Sequence, residues 1–382
     1  MKKLTAILSL IFIIALSFTS CSEIEIVELN ERLIIEAIGI DYEDGIYKVT
    51  IEGLDSFTAG SDSSSISSES LTKCFLFEGK TIGMAMNSIS VITGQTPLFS
   101  QARILVLGNT AAKERLSETL DFFRREYTTR TDILIAVAEK KASDIISADF
   151  GKNVSAGNIL EAALESYKHT GTSCFVPLYK FLNALKNETD CAFCPLIGIR
   201  KNAYSDTYEA DIKGTQLLKN NESAVLSPEE TAALMMINNE TENGDLTAKT
   251  KNGICTLEII DCRTKTKVET NSKKVIFYIS SDIRCDIPEY QTADLQELTK
   301  SDTEEIADTA ARLISEAMAG LINEKYINQN FDIFHFGRRL LLKSPALYKS
   351  LTENENTINK NAVFNISVSV SVRRIGKVVL EK

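Results

Sequence analysis

The sequence predicts an α+β protein of two or three domains that follows an export signal. The 382 residues are 44% hydrophobic and 25% charged, an ordinary globular composition with enough apolar mass for more than one core. Strand-like and helix-like runs occur in both halves of the chain. In the second half, strand-like runs follow one another closely, which indicates antiparallel sheet. The length also favours two or three domains.

The first predicted element is a signal peptide. Lys2 and Lys3 are followed by an apolar run over residues 4–18 and then by small residues. This order is typical of a secretory signal. The apolar run is shorter than the roughly 20 residues that a bilayer-spanning helix needs. We therefore predict that residues 1–20 are cleaved off rather than retained as a transmembrane anchor.

Cys21 is the predicted lipid-attachment residue. Phe18-Thr19-Ser20-Cys21 resembles a bacterial lipobox, in which the cysteine thiol receives a diacylglyceryl group and becomes the first mature residue. Acyl chains, at about 0.8 kcal/mol per buried methylene, hold a protein on a membrane face without crossing it. The alternative is an ordinary cleaved signal followed by an incidental cysteine.

The net charge excludes one class of partner. Removing residues 1–20 takes away two lysines and no acidic residue, which changes the net charge from −10 to −12. An acidic surface without a basic cluster repels nucleic acid and anionic lipid headgroups. We therefore exclude nucleic acid as a partner and expect the lipid, rather than charge, to attach the chain to the membrane.

Seven cysteines remain once Cys21 carries lipid, and an odd number cannot all pair within one chain. Cys191 and Cys194 have the spacing of a redox or zinc site, but no second such pair is present. A structural zinc site would need Cys174 or His169 as further ligands. A thioredoxin-like motif opens a helix, whereas the residues after Cys194 are expected to continue as a strand. We predict buried free thiols for most of the seven, with no metal and no cofactor besides the covalent lipid.

The N-terminal half reads as alternating strands and helices. A strand at residues 33–41, the Asp44-Gly45 turn and a strand at residues 46–51 form a predicted hairpin. The polar stretch 56–70 is a predicted loop. Later elements are strands at residues 73–78, 102–107 and 133–138, a helix over about 80–92, a helix whose buried face is Leu116, Leu120 and Phe123, and helices after the last of these strands.

Residues 200–210 lack core periodicity and read as a linker or exposed turn. Ser227, Pro228 and Glu230 then begin a helix with a capping box. A second capping box, from Ser301 to Glu304, begins a long helix over residues 301–328, whose apolar stripe indicates packing against a sheet. Strands are predicted at residues 214–219, 253–260, 267–269, 275–283 and, with strict alternation, 363–372.

A catalytic site is not apparent in the sequence. It contains no nucleophile elbow, no phosphate-binding loop, no His-Glu-Xaa-Xaa-His and no dinucleotide fingerprint. His335 stands beside two arginines without a nearby serine or cysteine nucleophile, which is more typical of a packing or surface residue. The acidic pairs at Glu229 and Glu304 sit at predicted helix N-termini, where the helix dipole accounts for them. We predict no catalytic residue and no enzymatic activity.

Short motifs occur along the chain in the order found in one family. The first half carries Glu28-Leu29-Asn30-Glu31, Ala37-Ile38-Gly39-Ile40-Asp41, Glu78-Gly79-Lys80-Thr81 and the runs at residues 102–108, 120–126, 133–146 and 194–199. The second half carries Gly214-Thr215, Glu230-Thr231, the run at residues 332–337 and the final alternating strand. In this order, after a lipobox, nearly the whole mature chain resembles the Ger(x)C family, the C subunits of bacterial spore germinant receptors.

The resemblance implies a three-domain α+β lipoprotein with mixed and antiparallel sheets flanked by helices. We expect the domains at residues 21–200, 201–290 and 291–382, the last containing the long helix and the terminal strand. It also implies a receptor A subunit and a polytopic B subunit as partners, and a position on the outer face of the spore inner membrane or cell membrane.

The function implied by the resemblance is non-enzymatic. The chain would be a lipoprotein subunit of a nutrient germinant receptor, needed for receptor assembly and for triggering germination. The family supplies no germinant-binding residues that match positions of this sequence, so the ligand-binding site stays unknown. The alternative is a free-standing lipoprotein that binds a solute or assists envelope assembly.

Overall fold

The computed structural model describes residues 31–54, 72–125, 129–186, 191–219, 222–271, 274–292, 298–353, 358–376 and 378–379. The predicted signal peptide, Cys21 and the predicted loop at residues 56–70 lie outside these residues. The described chain forms two β-sheets flanked by helices, which confirms the predicted α+β class. Within it, no helix combines the length and the apolar character that a bilayer span requires.

The first sheet, sheet A, has nine strands. These are β1 (Arg32–Glu43), β2 (Ile46–Leu54), β3 (Thr72–Gly79), β4 (Thr96–Leu98), β5 (Ile104–Leu107), β6 (Leu134–Ala138), β7 (Ala192–Lys201), β8 (Tyr208–Lys219) and β9 (Glu222–Leu226). Their order is β3-β2-β1-β5-β6-β7-β8-β9, with β4 also paired to β1. The central strands β1, β5, β6 and β7 run parallel, and the strands at both flanks pair antiparallel.

Helices cover both faces of sheet A, as parallel strands require because their side chains are buried on both sides. The helices are α1 (Ile82–Thr93), α2 (Asn109–Glu114), α3 (Leu116–Arg125), α4 (Ala142–Ile146), α5 (Ala156–Glu165), α6 (Tyr167–Thr170) and α7 (Leu178–Lys186). Every residue of β5 and β6 is buried. One core cluster includes α1, α2, α3 and α7, and a separate cluster on the sheet includes α4 and α5.

The second sheet, sheet B, has five strands in the order β10-β11-β12-β13-β14. These are β10 (Gly244–Lys249), β11 (Gly253–Asn271), β12 (Lys274–Thr292), β13 (Ala362–Ile375) and β14 (Val378–Val379). β10, β11 and β12 are antiparallel, whereas β12 and β13 run parallel from Val275↔Ala362 to Ile287↔Ile375. Sheet B therefore combines a local antiparallel meander with one long-range parallel pairing.

The helices of the second half are α8 (Pro228–Ile237), α9 (Lys300–Leu321), a π-helical turn at Ile322–Asn328, α10 (Phe336–Lys343), α11 (Pro345–Thr352) and α12 (Ile358–Asn361). α9 packs its stripe of Ile306, Ala310, Ile314, Met318 and Leu321 inward and contacts β13. The predicted long helix over residues 301–328 and its packing against a sheet are confirmed. The capping box at Ser227 and Glu230 is also confirmed.

Two local predictions are wrong. The predicted strands at residues 253–260 and 267–269 are one strand, β11, because the polar residues between them stay paired with β12, from Asp261↔Arg284 to Thr266↔Ile279. The capping box of α9 lies at Thr299 rather than Ser301. Asp302 donates its N–H to Thr299 Oγ1 at 3.2 Å and accepts the N–H of Thr299 at 2.9 Å. The capping box therefore begins two residues before the predicted position, at Thr299 instead of Ser301.

Residues 200–210 form an exposed turn between two strands rather than a linker. β7 extends to Lys201, β8 begins at Tyr208, and the two are neighbours in sheet A. β8 and β9 thus complete sheet A, although they follow residue 201. The domain boundaries at residues 200/201 and 290/291 stay predictions.

The cap at Thr299 gives a direct test. Thr299→Ala should lower the free energy of unfolding of the mature chain by about 0.5–2 kcal/mol, because it removes the side-chain acceptor at the start of α9. Ser301→Ala, the matched control, alters an exposed residue inside the helix and should change it by less than about 0.5 kcal/mol. Urea denaturation of both variants compares the two positions, and a larger loss at Ser301 would contradict the assignment.

Candidate functional site

The motif at residues 37–41 ends on a buried carboxylate near the carboxyl end of β1. Asp41 is 4% exposed. Its Oδ1 and Oδ2 accept hydrogen bonds from the backbone N–H groups of Ala142 and Ser143, at 2.8 and 2.9 Å. These donors open α4, where backbone N–H groups have no partner within the helix. Asp41 therefore fixes the start of α4 against β1.

Gly108, which ends the motif at residues 102–108, lies against the same carboxylate. Its N–H donates to the carbonyl of Ile40 at 2.8 Å. A Cβ at position 108 would lie 2.0 Å from Asp41 Oδ1, so only glycine fits beside the oxygen that holds α4. Two motifs that are far apart in sequence therefore meet where β1 and β5 end.

Two further buried acids hold the start of α5. Glu52 on β2 accepts the N–H groups of Ala156 and Gly157 at 2.8 and 3.0 Å, and Glu36 on β1 accepts the hydroxyl of Ser155 at 2.7 Å. Burial raises the pKa of the Glu52 carboxyl, against the opposing effect of its two backbone hydrogen bonds. Arg103 lies between Glu36 and Glu161, 2.6 Å from the latter. Glu36 of β1 and Glu52 of β2 therefore both fix the start of α5 against sheet A.

The motif at residues 332–337 uses the same device in the second half. Asp332 is buried, and its carboxylate accepts the N–H groups of Phe334, Phe336 and Gly337, the shortest at 2.6 Å. These groups include the first turn of α10. The backbone carbonyl of Asp332 also accepts the N–H of Cys191 at 3.1 Å, which connects this loop to the start of β7.

An ion-pair cluster fixes the parallel pairing of sheet B. Asp286 on β12 is 5% exposed and accepts hydrogen bonds from Arg373 Nε at 3.0 Å and Arg374 Nε at 2.9 Å, both on β13. The guanidinium of Arg373, followed by that of Arg374, holds the pKa of the Asp286 carboxyl below its usual range. The cluster sits at the register shift between Cys285 and Asp286.

Two open grooves lie at the carboxyl edge of sheet A, the edge where β1, β5, β6 and β7 end. One, of about 540 Å³, has Tyr42, Tyr47 and Arg115 in its wall, with the Arg115 guanidinium 5.0 Å from the Tyr42 ring centre. The other, of about 570 Å³, is lined by residues that include Lys141 and Tyr208. Three ion pairs lie around these grooves: Arg115 with Glu118, Arg125 with Asp121, and Lys141 with Glu43.

The Lys141 and Glu43 pair sits beside the Asp41 contact. Glu43 also binds Lys48, at 2.8 Å, and the hydrogen bonds from Lys141 and then Lys48 lower the pKa of the Glu43 carboxyl to about 2. A carboxylate held ionised by two ammonium groups accepts no proton near neutral pH. This arrangement serves structure and surface charge rather than acid–base chemistry.

The cysteines have the burial that the sequence predicts for most of them. Cys174, Cys191, Cys194, Cys255, Cys262 and Cys285 are buried free thiols, and Cys74 is exposed. Burial raises the pKa of the Cys174 and Cys285 thiols to about 12, so they stay protonated and unreactive at neutral pH. Among the described residues, no three His, Cys, Asp or Glu side chains are placed to hold a metal ion.

The structure separates the other residues that the sequence singled out. His169 lies in α6 and is exposed, whereas Cys191 and Cys194 are buried, so His169 is not placed as a third ligand beside them. His335 has φ 60° at the N-cap of α10 and lines a groove of about 290 Å³ with Glu240 and Arg338. Cys21 lies outside the described residues, so its lipidation stays a prediction.

Sequence reasoning missed the acids that fix the helices. Glu36 lies between Ile35 and Ala37, and Glu52 follows Ile51, so each interrupts an apolar strand. A carboxylate is placed in a buried strand only with partners, because burying a charge without hydrogen bonds is costly. That interruption is the signal that could have identified Glu36 and Glu52.

Comparisons with known proteins define the family. A family model described as "Spore germination protein N-terminal domain" matches residues 25–199, and one described as "Spore germination B3/ GerAC like, C-terminal" matches residues 213–376. These matches cover most of the chain, which therefore belongs to the GerAC-like, or Ger(x)C, family of spore germination proteins.

Individual relatives are distant. Spore germination protein GerQC of Bacillus cereus is 21% identical over 226 residues, which are 58% of this chain and 61% of that protein. The chain thus aligns with less than two thirds of the length of this curated relative. The crystal structure of the GerBC protein matches with a TM-score of 0.56 at 16% identity, covering 88% of this chain and 96% of that chain. This likeness shows a shared fold.

The contact of Gly108 with Asp41 predicts a severe effect of one added methyl group. Gly108→Ala should lower the free energy of unfolding by about 2 kcal/mol or more, because the new Cβ displaces a carboxylate that is already fully hydrogen-bonded. Gly320→Ala, in α9 with open space around the added Cβ, is the control and should be neutral or stabilising by up to about 1 kcal/mol. Equal effects in denaturant titrations would show that the close approach at Gly108 does not matter.

The Asp286 cluster predicts a pH-dependent contribution to stability. Its carboxyl has a lowered pKa in the fold, so its contribution is complete above the unfolded pKa of about 3.9 and is lost as the pH falls through the folded value. Asp286→Asn should therefore lower the free energy of unfolding by about 1–3 kcal/mol at pH 7, with a smaller difference below about pH 4.

The control for Asp286→Asn is Asp282→Asn, an exposed acid on the same strand. Its free energy of unfolding should follow that of the unmodified chain at every pH. Denaturant titrations between pH 3 and pH 7 give the comparison. A deficit of Asp286→Asn that does not change with pH would contradict an electrostatic origin.

Proposed function

We propose that this chain is the lipid-anchored C subunit of a nutrient germinant receptor and acts without enzymatic activity in receptor assembly and in triggering spore germination. The observation that carries the proposal is the match of both halves of the fold to spore germination family models, over residues 25–199 and 213–376. The names of GerQC and GerBC, whose relationship to this chain is distant, agree with it.

The use of the motif residues supports a structural role. Asp41 and Asp332, the acids in two of the family motifs, accept two and three backbone N–H groups. Carboxylates committed to helix N-termini are poorly available as general acids, bases or nucleophiles. These motif acids therefore stabilise the fold. A stable surface that neighbouring proteins can bind is what a subunit needed for assembly requires.

The proposed partners are an A subunit and a polytopic B subunit of the same receptor, at the outer face of the spore inner membrane or cell membrane. A diacylglyceryl group on Cys21 would hold the chain there. The mature chain carries a net charge of −12 by sequence, so attraction to anionic headgroups does not replace the lipid. A tether of this kind raises the local concentration of the subunit beside its membrane partners.

The other function we consider is a free-standing solute-binding or envelope-assembly lipoprotein. The two open grooves at the carboxyl edge of sheet A are the features that would serve a solute. Both arginines of the first groove are paired within the chain, Arg115 with Glu118 and Arg125 with Asp121, which favours the receptor subunit over a protein that binds an anionic solute there.

The lipid anchor gives the test of this function. In a strain whose response to one nutrient depends on this receptor, Cys21→Ala should reduce nutrient-induced dipicolinate release to the level of the deletion strain. The reason is that the subunit no longer stays at the membrane with its partners. Cys74→Ala is the matched control, since Cys74 is an exposed cysteine at which no lipid is expected, and it should germinate normally.

Two measurements separate the possible outcomes. Membrane fractions of Cys21→Ala spores should contain less of the B subunit, detected by immunoblot, if the C subunit supports assembly. Unchanged nutrient germination in the deletion strain would contradict the receptor function. Normal germination of Cys21→Ala with the deletion strain defective would keep the receptor function and contradict the anchor.

A further inference from the structure

Helix α1 presents an uncharged outer face with exposed apolar side chains. Its inner face, Ile82, Ala85, Met86 and Ile89, is buried against sheet A. On the outside, Val91 is 84% exposed and Ile92 is 65% exposed. The sequence contains no Asp, Glu, Lys or Arg from residue 82 to residue 101, in a chain that is 25% charged. Large exposed apolar side chains in an uncharged segment mark a contact surface.

The exposed pair lies at the end of sheet A where the chain enters the fold. α1 ends at Gly94, which adopts φ 71°, and the chain then forms β4. β4 runs parallel to the start of β1, with Thr96 opposite Arg32 and Leu98 opposite Ile34. Val91 and Ile92 are thus a few residues from the strand that pairs with Arg32. We call this end of sheet A the N-terminal pole.

The length of chain before Arg32 limits how far this pole can be from the membrane. Cys21 precedes Arg32 by eleven residues, which span at most about 40 Å when fully extended. β1 itself has twelve residues and extends away from the pole by about 40 Å. Within sheet A, the carboxyl edge is therefore the end far from Cys21 and the N-terminal pole is the near one. The second half of the fold joins sheet A at this same end, beside the start of β7, where Cys191 contacts Asp332.

We propose that Val91 and Ile92 insert into the headgroup region of the lipid bilayer and, with the lipid on Cys21, orient sheet A with its N-terminal pole toward the membrane. This inference rests on the lipid anchor of the proposed function. An uncharged surface is the part of an acidic chain that approaches an anionic bilayer with least repulsion.

The experiment uses the absence of tryptophan from this chain. Ile92→Trp introduces a single tryptophan emitter at the proposed contact in the full, acylated chain. Tyr204→Trp is the matched control, because Tyr204 is 98% exposed in the turn between β7 and β8, at the carboxyl edge. Both variants are reconstituted into vesicles of phosphatidylcholine and phosphatidylglycerol, with and without brominated acyl chains.

Bromine quenches only a tryptophan that reaches the acyl boundary. The emission of Ile92→Trp should fall about twofold in brominated vesicles, as expected for a side chain inserted at the interface, and that of Tyr204→Trp should not change. Adding Val91→Glu to Ile92→Trp should abolish the quenching. Adding Leu342→Glu, an exposed apolar position on α10, should leave it intact.

Flotation of the vesicles separates this inference from the anchor. Protein that carries acylated Cys21, verified by mass spectrometry, but does not float would contradict the anchor itself. Protein that floats while Ile92→Trp is unquenched would overturn the bilayer contact. Blue-shifted emission of Ile92→Trp without vesicles would also overturn it, since another part of the chain then covers the helix. Blue-shifted emission that appears only after receptor membrane subunits are added would assign the face to a protein partner instead.

Discussion

The fold depends on the bond between the Asp41 carboxylate and the start of α4. A carboxylate buried to 4% exposure is costly unless its oxygens are hydrogen-bonded, and the N–H groups of Ala142 and Ser143 supply those bonds. The same oxygen excludes any side chain at Gly108, so β1, β5 and α4 are fixed together. Glu52 repeats the device for α5, and these two helices cover one face of the central strands.

Hydrogen bonds to a buried acid and its neighbouring backbone also join the two halves of the molecule. Asp332 organises the loop before α10 with its carboxylate, while its carbonyl accepts the N–H of Cys191 on the sheet A side. Asn238, after α8, donates to the carbonyl of Ile333 at 3.0 Å, and Lys219, at the end of β8, donates to that of Asn330 at 2.7 Å. Residues 330–337 therefore form a connector that both halves of the fold hold in place.

The sequence predicted those helices and strands that depend on residues close together in the chain. The hairpin of β1 and β2, the buried strands β5 and β6 and the stripe of α9 follow from periodicity and turn residues. Periodicity did not reveal the parallel pairing of β12 with β13, because the whole helical segment separates the two strands and Asp286 with Arg373 and Arg374 makes the contact. The contacts of Asp41 were also hard to predict, because its hydrogen-bond partners lie about a hundred positions away in the sequence.

Sheet A has two unlike ends. The N-terminal pole carries the start of β1, the uncharged end of α1 and the strand β4 that connects them. The carboxyl edge carries the Asp41 contact, the paired charges of Glu43 and the two open grooves. The parallel strands of sheet A impose this polarity, because they all begin at one end and finish at the other. In the proposed lipid-anchored subunit, the carboxyl edge of sheet A would therefore lie on the side remote from the membrane, where extramembrane parts of the proposed receptor could reach it.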